Sequence, residues 1–224
     1  LGLNLQYGYA GLVNFGPVLF FAVGAYSMAF ISAESTFTEL GMGMPWYLGI
    51  LVAVVATVVV AFILALSTIQ LRDDYLAIVT LAAAEIFHRL TAGVPKYFGG
   101  ETGIPGVPTL IADLARDPAT AGFGSFVVLG SVMLISYGII QRLGESPYGR
   151  VLRGIRDDED AVKSLGKNVF TYKFHTFIIG SILMGIAGAL LAINNGAVAP
   201  GFITIDVTVL VWIGMLIGGA GNNR

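Results

Sequence analysis

Residues 142–175 read RLGESPYGRVLRGIRDDEDAVKSLGKNVFTYKFH, and this stretch decides how the rest of the chain is laid out. It holds seven of the twelve Lys and Arg residues and lies between two long apolar runs. Short loops rich in Lys and Arg stay on the cytoplasmic side of a membrane, so the segment orients every apolar run around it. It also carries helix signals, with Ser146 placed as an N-cap and Pro147 at the first helical position. Tyr148, Val151, Leu152 and Ile155 then fall on one face, and Arg150, Arg153 and Arg156 spread around the other. Asp157 offers a second cap, with Asp158, Glu159 and Asp160 in a first turn where the helix dipole favours anions. Ala161, Val162 and Leu165 continue an apolar stripe, and Gly166 suits a C-cap. The spacing predicts two short helices meeting near Arg156–Asp157. A helix lying on lipid headgroups is the competing reading, but anionic headgroups would repel the acidic cluster 157–160. A soluble protein partner fits this surface better.

Working outward, apolar runs flank the segment on both sides. A spanning helix needs about 20 mostly apolar residues. The runs Ala10–Ala33, Trp46–Leu71, Leu76–Ala92, Phe123–Gln141, Thr176–Asn194 and Val207–Gly221 meet or approach that length. Leu1–Tyr9 is either the remains of an earlier helix or the start of the first span. Only 12% of the 224 residues are charged, half the roughly 25% of an ordinary soluble domain, and mean hydropathy is +0.82. The expected fold is therefore all-α, a polytopic transmembrane helix bundle of about six spans in a single domain over 1–224. The loop 142–175 lies inside the cell and the loop 93–122 outside. External segments carry Glu34, Glu39, Glu101, Asp113 and Asp117 against Lys96 and Arg116, which agrees with that orientation. Arg72 gives the other internal turn its one basic residue. The external loop is dense in Gly and Pro, and reads either as a solvated connection or as a docking rim. The apolar pattern is already running at Leu1 and stops abruptly after Gly221, so a piece of a longer protein is expected.

Few residues carry chemistry. With no cysteine, disulfides, zinc–thiolate sites and iron–sulfur clusters are excluded within the chain. No phosphate-binding G-x-x-x-x-G-K-[ST] occurs, and no basic–aromatic tract suggests nucleic acid. Glu85, His88 and Arg89 are the ionisable cluster inside a span. Glu85 and Arg89, four apart, suit an internal ion pair, or a role in gating or solute passage. Asn4, Gln6, Asn14 and Pro17 put polarity and a break into the first spans, which reads equally as a cavity lining or as polar glue between helices. Small residues at four-residue spacing (Ser181, Gly185, Ala189; Gly188, Ala192; Gly214, Gly218) predict close helix packing.

Five stretches in order resemble one family: Leu3–Gly11 with Phe20–Tyr26, Tyr75–Ala82 with Glu85–Ile86, Gly99–Pro108, Ser146–Gly166, and Gly218–Gly221. Together they are similar to the LivM-type permeases of branched-chain amino acid ABC transporters, over essentially the whole chain. Two departures stand out: Asn14-Phe15-Gly16-Pro17 lies where many members have a histidine-containing turn, and Phe98 stands at a family threonine. The resemblance implies a permease subunit of the inner membrane, working with a second, LivH-like permease, two cytoplasmic ATP-binding subunits and an external solute-binding protein. It implies no cofactor, metal or catalytic residue of its own. The coupling element would comprise Gly149, Arg150, Arg153, Arg156, Asp157, Asp158, Glu159, Leu165 and Gly166. Asn14, Glu85, His88 and Arg89, read from their polarity within the spans and not from the resemblance, are the candidate pathway or gating residues. Branched-chain amino acids are the expected solute, with urea or short amides as the alternative. A membrane-embedded enzyme using Glu85 and His88 would need a second ionisable constellation in the spans, and none appears. A scaffold subunit without transport would differ in not co-purifying with ATP-binding subunits.

Overall fold

The computed structural model describes residues 1–34, 41–68, 73–109 and 118–221, with side chains from 75 and from 122 in the last two segments. Of the charges used to orient the chain, Glu39, Arg72, Asp113, Arg116 and Asp117 lie outside these residues. The described chain is almost entirely helical: α1 Pro17–Ser32, α2 Trp46–Thr68, α3 Asp73–Gly93, α4 Pro95–Phe98, α5 Pro118–Glu145, α6 Pro147–Asp157, α7 Glu159–Ser164, α8 Val169–Asn195 and α9 Ile205–Ile217. Five stretches are long and apolar enough to span a bilayer: Trp46–Thr68, Tyr75–Gly93, Gly122–Glu145, Val169–Asn195 and Pro200–Ile217.

The sixth expected span is broken. A π-helical turn, Asn4–Tyr9, stops at Ala10, residues 11–16 have no regular structure, and α1 resumes at Pro17 with 16 residues. Pro17 cannot donate to a preceding turn, and each freed backbone group must find another partner in lipid. The partners come from two helices and from the break itself. Phe15 N donates to Thr80 Oγ1 on α3 (3.0 Å), Gly16 N to the Asn14 side chain (2.7 Å), and the Trp212 indole on α9 to the Asn14 carbonyl (3.0 Å).

The centre of the bundle is α1 against α8, with α2 packed on both. The small-residue spacing on α8 explains it. A Cβ at Gly188 would run into the Phe21 carbonyl, one at Gly24 into the Gly185 carbonyl, and one at Gly185 into Thr57 of α2. Close backbone approach of this kind substitutes for the hydrophobic drive that lipid removes. Gly214 on α9 differs, since a Cβ there meets nothing within 4 Å. The predicted close contact at that pair of glycines is therefore absent among the described residues.

The two ends of the bundle are built differently. At the end opposite the charged loop, the Gly/Pro-rich segment is tied down rather than free. Ile104–Pro105 pairs antiparallel with Ala197–Val198, and Val107 N donates to the Gly196 carbonyl at 3.0 Å. The glycine at 196, φ +67, ends α8 in the left-handed conformation that makes this return possible. At the charged end, helix replaces loop: α5 runs to Glu145 and α8 begins at Val169, so Arg142 and Lys173 lie within helices. The connecting segment shrinks to α6 and α7 with their caps.

Candidate functional site

The α6–α7 unit is held by its own caps and by three anchors to the bundle. Ser146 accepts from Gly149 N, with Pro147 at the first position, as the sequence indicates. The second cap is Asp158 rather than Asp157: its carboxylate accepts from Ala161 N at 2.9 Å, while Asp157 closes α6. An extended backbone at Asp158 lets the shorter connection cap α7 directly. Gly149 is buried because a Cβ there would strike the carbonyl of Gly144 at the end of α5. Leu152 and Ile155 are buried and Val162 follows them, so one apolar face of the unit is seated.

The first anchor is an ion pair. Lys173 on α8, only 9% exposed at its side chain, donates to Glu159 Oε2 at 2.7 Å, and Lys163 lies 3.0 Å from the other carboxylate oxygen. Burial pushes the Glu159 carboxyl up, but the two ammonium groups outweigh it and hold it below the usual carboxylate range. Lys163 is correspondingly raised by its hydrogen bond to Glu159. The second anchor is Tyr148, whose hydroxyl contacts the Tyr172 carbonyl at 3.1 Å and Thr176 Oγ1 at 2.9 Å. Burial raises its pKa, partly offset by the Thr176 hydrogen bond.

The third anchor is basic: two exposed arginines each reach back to a backbone carbonyl. Arg156 Nη1 donates to the Gly8 carbonyl in the π-helical turn, and Arg153 Nη2 donates to the Gly144 carbonyl at 3.2 Å. These two arginines are spent on the protein itself. Arg150, Asp157, Asp158, Leu165 and Gly166 are exposed, and Leu165 reaches 78%. Leu165 was expected to continue the buried stripe, but α7 ends at Ser164 and turns at Gly166, φ +75, leaving it outside. The outward surface is thus one apolar projection ringed by charges of both signs.

The other candidates separate into two environments. Asn14 is fully buried and spent: Nδ2 donates to Gln6 Oε1 at 2.8 Å, and Gln6 Nε2 donates to the Phe177 carbonyl at 2.8 Å and to Ser181 Oγ at 3.3 Å. That network joins the π-helical turn, the break and α8. Glu85 and Arg89 do pair, at 2.6 Å, but not internally, because the Arg89 side chain is 79% exposed and the pair lies on the outer face of α3. His88 is half-buried, and its Nδ1 has no hydrogen-bond partner among the described residues. No group of three His, Asp or Glu side chains converges among the described residues. A cleft of about 480 Å³ between α1, α5, α8 and α9 is walled by apolar side chains such as Phe21, Met133 and Leu190, with Ser136 and Asn194 as its polar side chains. None of the residues that line it has an ionisable side chain.

The π-helical turn with the start of α1, the first half of α3, Gly99–Pro108, the capped α6–α7 unit and the turn after α9 are the regions that carried the resemblance. The family described as branched-chain amino acid transport system, permease component, matches residues 1–224. The chain belongs to this family. It is 30% identical over its whole length to a probable branched-chain amino acid transport permease protein LivM of Methanocaldococcus jannaschii, covering 72% of that protein. It is equally 30% identical to the high-affinity branched-chain amino acid transport system permease proteins LivM of Salmonella typhimurium and Escherichia coli, spanning 56% of the length of each. No solved structure matches significantly. As a permease component with five helices long and apolar enough to cross a membrane among its described residues, the chain is a multi-pass membrane protein and a transport subunit. What the sequence did not reveal is which side of each arginine matters, because helical spacing places Arg150, Arg153 and Arg156 around the polar face without saying where the bundle lies.

Proposed function

We propose that this chain is a permease domain of an inner-membrane importer for branched-chain amino acids, without catalytic activity of its own. It would work with a second permease, two cytoplasmic ATP-binding subunits and an external solute-binding protein. The loop end of the bundle faces the cytoplasm, in accord with its Lys and Arg content. The observation that carries the reading is the seated α6–α7 unit presenting Leu165 and its charged rim outward. A soluble partner that grips this unit moves the bundle, because Tyr148, Arg153, Arg156 and Glu159 fasten it from within. Arg150, Asp157, Leu165 and Gly166 form the partner-facing set; Gly149, Arg153, Asp158 and Glu159 support it. Glu85, His88 and Arg89 line the face of α3 that meets the second permease and the solute path. Hydrocarbon is a poor neighbour for an exposed ion pair.

The test is reconstitution of the full-length protein with its partners. Replacing Arg150 by Glu together with Leu165 by Asp alters exposed groups that support nothing in the bundle. Transport of radiolabelled leucine should fall at least about tenfold, on the scale of couplings between distant sites, and retention of ATP-binding subunits on purification should fall with it. Unchanged uptake would refute the assignment of this surface. The ligand that co-purifies with the solute-binding partner decides between branched-chain amino acids and urea or short amides.

A further inference from the structure

Three segments distant in sequence meet at one point below the broken first span. The π-helical turn Asn4–Tyr9 leaves the Gly8 carbonyl turned toward α6, where Arg156 Nη1 takes it. The turn that follows α9 arrives at the same place, with Gly221 N donating to Asn4 Oδ1 at 2.8 Å. Gly11, the first residue of the break after Ala10, has φ +71, and a Cβ there would lie 3.1 Å from Arg156 Cγ. Asp157 Oδ1, 3.6 Å from Arg156 Nε, lies on the outer side of the guanidinium. A long cationic side chain on a surface helix would ordinarily end in solvent; this one stays 41% exposed yet bonds a backbone carbonyl 148 residues away.

Resting on the importer reading, we infer that Arg156 is a positioning residue that fastens α6 to the π-helical turn just before the break in the first span. It is not a contact to the ATP-binding subunit. The break is where such a link has most effect. Gly11 N and Leu12 N still donate to the Tyr7 and Gln6 carbonyls, but no ladder continues through residues 13–16, and side chains on α3 and α9 satisfy part of their backbone. The Gln6–Asn14 network carries the same displacement to α8 through the Phe177 carbonyl and Ser181. A shift of α6 therefore reaches α1 through the break, without passing through the α5 or α8 connections. A helix with an interrupted hydrogen-bond ladder bends there at lower cost than an intact one.

The experiment uses the full-length protein assembled with both permeases, the ATP-binding subunits and the solute-binding protein in proteoliposomes. Solute imported, ATP hydrolysed and ATP-binding subunit retained are measured together. Arg156→Met keeps length and apolar stem but removes the donors. Expected is full retention of ATP-binding subunits and hydrolysis within about twofold of the parent, with import per ATP down about tenfold. Arg156→Lys, which keeps one charged donor, restores part of the import. The inference is overturned if Arg156→Met releases the ATP-binding subunits, if import and hydrolysis fall together, if import is unchanged, or if the Lys variant imports no better than the Met variant. Should Arg156→Met fail to accumulate in the membrane, Arg156→Lys alone decides, by lowering import per ATP or leaving it unchanged. Failure of the importer reading itself would look different, since the parent protein would then import nothing or bind no ATP-binding subunit.

Discussion

Charged groups near the loop end do two kinds of work, and direction decides which. Glu159 and Lys173 form the most buried ionic contact in the α6–α7 unit. Removing the carboxylate leaves a buried ammonium short of its partner, at a cost of about 1–3 kcal/mol, reduced here because Glu159 itself is 37% exposed. Glu159→Gln is expected to raise hydrogen exchange in α7 several-fold while leaving the α1–α8 core unchanged. Equal exchange in both proteins would show that the pair does not hold α7. The same pair sets a pH dependence. The folded-state pKa of Glu159 is below its unfolded value, so its contribution is present above the ordinary carboxylate range and is lost as pH falls through the lowered folded pKa. Exchange in α7 should therefore rise at acid pH in the parent and show no such step in Glu159→Gln.

Among the elements, α8 and α9 carry the same small-residue spacing with opposite consequences. Gly188 faces the Phe21 carbonyl, whereas Gly214 faces open space. Gly188→Ala is expected to destabilise the detergent-solubilised protein by about 1–3 kcal/mol, the usual range for overpacking. Gly214→Ala should be neutral in the described portion of the chain. Thermal unfolding of the two variants checks this, and equal melting temperatures would contradict the packing. At the break, Asn14→Leu removes a side chain that serves Gln6 and Gly16, with an expected loss of about 1–3 kcal/mol for the stranded buried groups. Apolar run length made α2, α3, α5, α8 and α9 legible, because lipid imposes a minimum length on a spanning helix. The ends were less legible. The predicted loop ran to His175, seven residues into α8, because a charge such as Lys173 normally marks the membrane edge, and here a partner 14 residues earlier neutralises it. The break was visible as Asn14 and Pro17, but its closure by Thr80 and Trp212 depends on contacts 65 and 198 residues away.

At the scale of the whole molecule, a broken first span, a three-helix centre and a fastened α6–α7 unit form one connected path from the charged end to α1 and α8. The sequence announced the unit through Ser146, Pro147 and its charge pattern, and announced the family through five ordered stretches. It could not say that Arg153 and Arg156, though exposed, each bond a backbone carbonyl of the bundle while Leu165 projects outward, since that depends on where α6 meets the bundle. The most direct test of the central claim, that this unit faces the cytoplasm and receives the ATP-binding subunit, is thiol labelling at Leu165→Cys in the full-length protein with any other cysteine removed. A membrane-impermeant maleimide should label inverted membrane vesicles and not intact spheroplasts, and added ATP-binding subunits should protect the thiol. Labelling in intact spheroplasts, or labelling of inverted vesicles that the ATP-binding subunits leave unprotected, would contradict it.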